Sequence, residues 1–396
     1  MNMILRTLLI ACFPVIGKAF YPCPRSWCET CLPVKIHDAP GIGFDLTPSY
    51  GVSAAHYYNG TVVEVAQIQG KPEYLELMKR LANGAEHPLY RPAKLRPKGY
   101  VQNPGFLSYP FTSLFEWLYM KRNPSRHEEV DEAHELQILI EMLGDLKHDT
   151  ERKLHHSLDR VAVTSPDLHA LSPGLVNFAL QQTDLRTWVG DSKFYPDHLV
   201  EADAVYANNG FGLCENYHDL WECEDEFDYT DTSAVLFVSF SRQSLYASII
   251  EPIHGQALAR FTRDENNVLD FEVGLDRLLQ AEPSELLWAR LRSQLTGLSR
   301  PWRSTITHLI LAGENATYPR FVAELKDAFV GLPQLATGIM PVKDDAKGDL
   351  TFAAARGAAL YARRRQEVQS DCSEPPTCEL SRRTERLQGS LKDELR

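Results

Sequence analysis

Apolar and polar positions alternate along this chain in a way that predicts its elements one by one. Gly41–Leu46 is a short apolar run with Asp45 near its end, and it predicts a buried strand. Thr47-Pro48-Ser49-Tyr50-Gly51 predicts a tight turn. Val52–Tyr58 and Thr61–Ile68 flank Asn59-Gly60, a hairpin signal because both turn residues tolerate φ > 0. Pro72–Leu81 predicts a helix, with Pro72 at its first position, Tyr74, Leu75, Met78 and Leu81 on its apolar face and Gly84 near its end. Residues 85–112 are rich in Pro, Gly, Arg and Lys and lack a period, which predicts irregular structure. Helices follow over Phe111–Met120 and Glu128–Leu158, the second with Val130, Ala133, Leu136, Ile140, Leu143 and Leu146 along one side.

Arg160–Thr164 then predicts a strand, Pro173–Gln182 a helix, Asp203–Asn208 a short element and Asn209-Gly210-Phe211-Gly212 a turn. Val235–Val238 and Leu245–Ile250 flank Ser239–Ser244, a second strand–turn–strand spaced like the first. One helix stands out within 256–302, over Ser284–Leu295. Ile306–Leu311 predicts a strand ending at Ala312-Gly313. Pro319–Phe329 follows as a helix with Phe321, Leu325 and Phe329 on one face and Gly331 as its cap. Phe352–Arg365 is an alanine-rich helix, and the positive charge of Arg363, Arg364 and Arg365 suits its C-terminal end.

With 396 residues the chain has room for two domains or lobes, and 44% hydrophobic residues with 24% charged are ordinary for a protein with a sizeable core. A net charge of −12 excludes nucleic acid as an expected partner, since phosphate binding needs a basic face. Arg6 precedes the apolar run Thr7–Ile16, and Gly17 and Ala19 are the small residues an export signal has before its cleavage point. That run is shorter than the ~20 residues of a spanning helix, so the expectation is an exported protein that does not span the membrane, secreted or in the endoplasmic reticulum lumen. Cleavage would remove Cys12. Cys23, Cys28, Cys31, Cys214, Cys223, Cys372 and Cys378 remain as disulfide candidates, an odd set that leaves one thiol free or paired with another chain. Asn59-Gly60-Thr61 and Asn315-Ala316-Thr317 are glycosylation sequons, which makes Asn59 and Asn315 the candidate acceptors. Lys392-Asp393-Glu394-Leu395 spells a retrieval signal, but Arg396 follows it and would have to be trimmed for a receptor to read it.

Several chemistries are excluded. The chain has no G-x-x-x-x-G-K-[ST] phosphate loop, Gly210-Phe211-Gly212 lacks a third glycine, and no G-x-S-x-G elbow precedes a helix. His127-Glu128 and His134-Glu135 lack the second histidine of a zinc helix, and no metal site is expected. The acidic run Asp219–Asp231 lacks alternate-position ligands around a central glycine and reads as a solvated loop.

Two strand–turn–strand units, a strand–Gly–helix and an Ala-Gly-Ala helix, in this order, resemble the nucleotide-binding domain of the actin, hexokinase and 70-kDa heat-shock chaperone superfamily. The resemblance is closest to the heat-shock chaperones and covers about residues 38–365. Asp45-Leu46-Thr47-Pro48-Ser49-Tyr50-Gly51 aligns with the first phosphate loop, D-L-G-T-T-Y-S. Val161–Pro166 resembles the strand V-I-T-V-P-A, and Glu201–Ala207 the connecting segment E-P-T-A-A-A-L. Ser239–Tyr246 falls on the second loop, D-L-G-G-G-T-F-D. Leu311-Ala312-Gly313-Glu314-Asn315 resembles the adenosine-binding V-G-G-S-S, and Ala355–Ala359 the last helix, A-x-G-A-A.

The resemblance implies an α/β, two-lobed actin-like ATPase (ribonuclease H-like) fold, each lobe a mixed sheet flanked by helices. It divides the chain into a signal peptide (1–19), a Cys-containing segment (20–36) and lobe I (37–228, with an insert at about 71–159). Lobe II follows (229–351, with a short insert at about 256–302), then a return helix (352–365) and a polar tail (366–396). It implies ATP or ADP, with or without Mg²⁺, held by Thr47, Ser49, Tyr50, Ser239, Ser241, Arg242, Gln243, Ser244, Ala312, Gly313 and Glu314. Asp45 and Glu201 would be the residual catalytic carboxylates.

The departures weigh against that chemistry. Glycine serves phosphate loops because a bare backbone approaches closely with φ > 0. Thr47 and Pro48 stand in the first loop, and Pro48 donates no N–H. Ser239 replaces an aspartate, Ser241, Arg242 and Gln243 replace the glycines, and Tyr246 replaces the second aspartate. Arg242 could supply an anion site by itself or could be an exposed residue paired with the acidic loop. The expected function is therefore a degenerate heat-shock-70-like scaffold, a pseudo-ATPase with weak or absent hydrolysis and a protein partner. The alternative is an ATP-binding enzyme, an ATPase or small-molecule kinase, with divergent loops. The peptide-binding unit of the chaperones has no counterpart in the ~30 residues after the last helix.

Overall fold

A computed structural model describes residues 21–22, 40–82, 128–168, 171, 173–189, 199–213, 215, 217, 234–250, 262–280, 284–329, 348–367 and 372–373. Lobe I is built on strands β1 (Gly41–Leu46), β2 (Tyr50–His56) and β3 (Val62–Gln69), an antiparallel meander. Helices α1 (Pro72–Ala82) and α2 (Glu128–Leu154) precede β4 (Arg160–Ser165), which pairs parallel with β1 on its other side. Helix α3 (Pro173–Gln182) leads to β5 (Arg186–Thr187), and β6 (Leu199–Val200) runs straight into α4 (Glu201–Asn208). The sheet order is β3-β2-β1-β4-β5, with β6 also pairing β4.

Lobe II repeats the plan. Strands β7 (Ala234–Phe240), β8 (Leu245–Ile250) and β9 (Thr262–Asp270) form an antiparallel meander. Helices α5 (Leu275–Gln280) and α6 (Ser284–Ser299) follow, and β10 (Ile306–Ala312) pairs parallel with β7, giving the order β9-β8-β7-β10. Helices α7 (Pro319–Ala328) and α8 (Ala353–Glu367) complete the described chain, apart from a two-residue pairing of Tyr21–Pro22 with Cys372–Ser373. Two lobes, each a three-strand meander with a parallel fourth strand and flanking helices, make the actin-like fold that the sequence predicts.

Burial explains the strands. All of β1, β7 and β8 are buried, so they read as continuous apolar runs rather than alternating ones. Helix α1 buries Tyr74, Leu77, Met78 and Leu81, the i, i+3, i+4, i+7 face; Leu75 lies at its margin. Helix α2 buries Ile138, Leu139, Met142, Leu143 and Leu146, a stripe rotated from the expected one, with Leu136 and Ile140 only partly covered. Between the lobes, α8 and α4 pack on each other, and their core is mostly alanine: Ala202, Ala204, Ala354, Ala358 and Ala362. Ala355 and Ala359 face β2 instead, against Tyr50, Val52 and Ala54. Alanine is used because these backbones approach closely: a Cβ at Gly43 would collide with the carbonyl of Ala355.

The stretch 256–302 differs from a short insert with one helix. It supplies β9, the third strand of the lobe II sheet, and α5 as well as α6. The helix expected over Phe111–Met120, the cap Gly331 and the acidic run 219–231 lie outside the described residues. No helix among the described residues is long and apolar enough to cross a membrane.

Candidate functional site

Both meanders turn at the same place, where the lobes face each other. In the first turn the Thr47 hydroxyl does most of the bonding. It accepts from the backbone N–H groups of Ser49 (3.1 Å) and Tyr50 (2.9 Å) and donates to the Tyr50 carbonyl (2.8 Å). The Thr47 N–H donates to the same carbonyl at 2.9 Å. The Tyr74 hydroxyl donates to the Thr47 carbonyl at 2.7 Å and ties the turn to α1.

The second turn is built alike. The Ser241 hydroxyl accepts from the N–H groups of Gln243 (3.2 Å) and Ser244 (3.0 Å), and the Ser241 N–H donates to the Ser244 carbonyl at 2.9 Å. The Arg242 N–H donates to Glu314 Oε1 at 3.0 Å. A hydroxyl at the first position of each turn thus binds the amides two and three residues on, the local competition typical of Ser and Thr. Pro48 carries no N–H, so every backbone N–H in 47–50 and 241–244 has an acceptor within the protein.

The two turns also bind each other. Ser49 Oγ lies 2.8 Å from both Ser241 Oγ and Ser244 Oγ, which are 3.1 Å apart. This triangle of hydroxyls spans the lobes and is buried. Glu314 adds a bridge above it, with Oε2 reached by the amide nitrogens of Gln67 (3.4 Å) and Gln69 (3.5 Å), long contacts of modest strength. On the other side Asp167 holds lobe II: its N–H donates to the Tyr246 hydroxyl at 3.0 Å, and its carbonyl accepts from Asn267 at 2.9 Å.

Below the turns lie the two carboxyls. Asp45 and Glu201 are each 1% exposed. Asp45 Oδ1 accepts from the Thr164 hydroxyl at 2.9 Å. Burial pushes the Asp45 carboxyl up to about 7, with the Thr164 bond pulling the other way. Glu201 is raised as well, by burial first and then by the charge of Asp45, against a hydrogen bond from Ser239. Its Oε2 has no hydrogen-bond partner.

The structure gathers Asp45, Thr47, Ser49, Glu201, Ser239, Ser241, Ser244 and Glu314 at one centre. Other candidates fall elsewhere. Tyr50 is buried against Val52, Ala54, Ala355 and Ala359. Arg242 is exposed, and its Nε donates to Asp276 Oδ1 at 3.1 Å while Gln243 Nε2 donates to Oδ2 at 3.1 Å. The acid that pairs with Arg242 is thus Asp276 on α5. Ala312 is core, and Gly313 has φ +100° because the loop presses on the backbone of Phe240. Asn59 is at the β2–β3 tip, and Asn315 follows Gly313. Cys372 lies in the short strand opposite Tyr21. Cys23, Cys28, Cys31, Cys214, Cys223 and Cys378 lie outside the described residues. A separate cavity of about 350 Å³ lies on lobe I, between α1, α2 and the end of β3.

No family model matches the sequence, and no curated protein matches it. Solved structures are similar to this chain. One that is similar over most of its length is the ethanolamine utilization protein EutJ from Carboxydothermus hydrogenoformans, 12% identical, with 87% of this chain and 93% of that one covered and a TM-score of 0.39. That likeness is too distant to argue from, and the strand order carries the fold.

Mg²⁺–nucleotide does not fit the residues present. Phosphate needs free amides and a gap between the turns; these amides are bonded and these turns touch. A hydrated Mg²⁺ needs accessible carboxylates, and Asp45 and Glu201 are each closed off from solvent. Among the described residues Glu201 Oε2 is buried without a hydrogen-bond partner, and it would welcome a donor.

Sequence reading missed Thr164, Gln67, Gln69 and Asp276, which reach the centre from separate elements. It also missed Arg356, at the start of α8. That guanidinium is 6% exposed and bonds Glu64 Oε1, the Asp349 carbonyl (2.9 Å) and Asn208 Oδ1 (3.2 Å). The Asp349 N–H donates to the same Glu64 oxygen at 2.9 Å, so one carboxylate pins the entry to α8 onto β3. Burial pulls the Arg356 pKa down, and Glu64 resists. Arg356→Ala is expected to cost about 2 kcal/mol, a buried charged contact discounted because Glu64 is partly solvated. Arg356→Lys should recover little, since an ammonium lacks the planar fork. Urea midpoints of the three proteins check this, and full rescue by lysine would count against the geometry.

Proposed function

We propose that this protein is an exported, heat-shock-70-like pseudo-ATPase whose two lobes serve as a closed scaffold for a protein partner. One observation carries the proposal: both phosphate-type turns use all their own amides and hydrogen-bond to each other across the lobes. The retained function must then reside on the outer surface, with the cleft as a structural joint. Export rests on the sequence of the first residues, Arg6 and Thr7–Ile16 followed by Gly17-Lys18-Ala19.

Calorimetry and thermal shift with ATP and ADP, with and without Mg²⁺, test the cleft on protein lacking residues 1–19. The expected result is no heat of binding and no change in melting temperature at millimolar nucleotide. A ligand at 100 times its Kd would add about 2.7 kcal/mol of stability, so micromolar binding could not be missed. Mg²⁺-dependent binding with turnover abolished by Asp45→Ala would overturn the proposal and favour an ATP-dependent enzyme.

A further inference from the structure

The two sequons differ in what the fold does to them. Asn59 is exposed at the tip of the β2–β3 hairpin. Gly60 beside it has φ +84° and open space around the position of a side chain. The Asn59 Oδ1 accepts from the Thr61 N–H at 2.9 Å, which leaves its amide nitrogen directed to solvent chemistry rather than to a protein acceptor. Asn315 is the opposite case. Its Nδ2 is buried and without a partner among the described residues, and its backbone N–H is bonded to the Phe240 carbonyl at 3.0 Å. A bulky, hydrophilic group on that nitrogen would have to lift the 313–318 turn off β7.

We infer that Asn59 is an N-glycosylation site and that Asn315 is not, in the folded protein. The inference rests on the export reading above. In the step itself, the Asn59 amide nitrogen attacks the anomeric carbon of a lipid-pyrophosphate-linked oligosaccharide. The new N–C bond replaces the C–O bond, the lipid pyrophosphate leaves with the electron pair, and the amide gives up one proton. The glycan would stand beside Val62 and Val63, 40% and 37% exposed at the start of β3. That strand is the edge of the lobe I sheet. Edge strands are the usual template for unwanted pairing, and a glycan is an effective guard.

The full chain is to be expressed in a eukaryotic cell with its own N-terminus and, in parallel, behind an established export leader. Soluble folded product is then mapped by peptide mass with and without an endoglycosidase. One glycan is expected, on the peptide holding Asn59, lost in Asn59→Gln and in Thr61→Ala and kept in Thr317→Ala. If only the leader-borne chain is modified at Asn59, the site stands and the export reading falls. Folded leader-borne protein without a glycan on Asn59, or with one on Asn315, overturns the inference.

Discussion

Gly357→Val should unfold this protein or bring it close to unfolding. Gly357 is on α8 where that helix crosses α4, and a Cβ there would overlap the carbonyl oxygen of Ala204. The obstacle is backbone inside a helix, which cannot rotate away as a flexible side chain could. Relief requires separating the helix pair that joins the lobes. On its other side α8 is pressed just as closely by Gly41 and Gly43, whose Cβ atoms would meet Arg363 N, Ala355 O and Ala359 N. The helix is thus held between two backbones and has nowhere to move. Overpacking in a core usually costs about 1–3 kcal/mol, and a rigid obstacle should push this case above about 4. Native domains have roughly 5–15 kcal/mol in hand. Gly297 on α6 is the control: a Cβ there would meet nothing within 4 Å beyond its own helix backbone, so Gly297→Ala should stabilise by roughly 0.5–1 kcal/mol through helix propensity. Far-UV circular dichroism and urea titration of both variants decide it. A Gly357→Val protein with the parent's midpoint would mean that the two helices do not meet as described.

The parts legible in the sequence are those where local pattern and burial agree. The first hairpin, β7, β8, β10 and the alanine-rich α8 are short apolar runs between strong turn signals, and they form where the pattern puts them. Strand β9 was not legible, because Thr262–Asp270 contains Arg263, Asp264, Glu265, Asn266 and Asn267 and has no apolar alternation. It is held by tertiary pairing, Leu269 opposite Tyr246 and Asp270 opposite Leu245. Asp270 then caps the next turn by accepting from the Glu272 N–H at 2.8 Å. The buried stripe of α2 was misread for a related reason: which side of a long helix is covered depends on the sheet it meets. At the site, the two turns fall where the strand–turn–strand pattern puts them, and the sequence shows lost glycines and aspartates together with Arg242 as a candidate anion site. Thr47 and Ser241 are also gains. Each places a hydroxyl where it binds the amides two and three residues on, a local pattern that sequence can show. Their contact through Ser49 and Ser244 could not be read, since those residues are separated by 195 positions. The pairing of Arg242 with Asp276 likewise depends on α5 starting against the second turn, where the Leu275 N–H reaches the Ser241 carbonyl at 3.1 Å.

Stability should fall as pH rises from about 4 to about 7, and Asp45→Asn should remove much of that fall. The sign follows from proton counting. In the unfolded chain the Asp45 carboxyl ionises near its ordinary 3.8; in the folded protein burial delays this to about 7. Between those values the native state holds the extra proton, so raising the pH favours the unfolded chain. Below 3.8 neither state is ionised and the penalty is absent; above about 7 it is complete. A shift of this size corresponds to on the order of 4 kcal/mol. Glu201 acts in the same direction, and because the charge of Asp45 raises it, neutralising Asp45 eases both groups. Asparagine keeps the carbonyl oxygen that accepts from Thr164, so the substitution removes the ionisable group while preserving that bond. Urea midpoints at pH 5 and pH 8 should lie closer together in Asp45→Asn than in the parent, the remaining gap coming from the burial of Glu201, with the variant the more stable protein at pH 8. With Mg²⁺–nucleotide bound, a working site predicts the reverse, because there the ionised aspartate is what the metal needs. If Asp45→Asn is destabilising at pH 8, or if the parent is flat across this window, the carboxyls are ionised and accessible, and the sealed joint between the lobes is not what the pair is for.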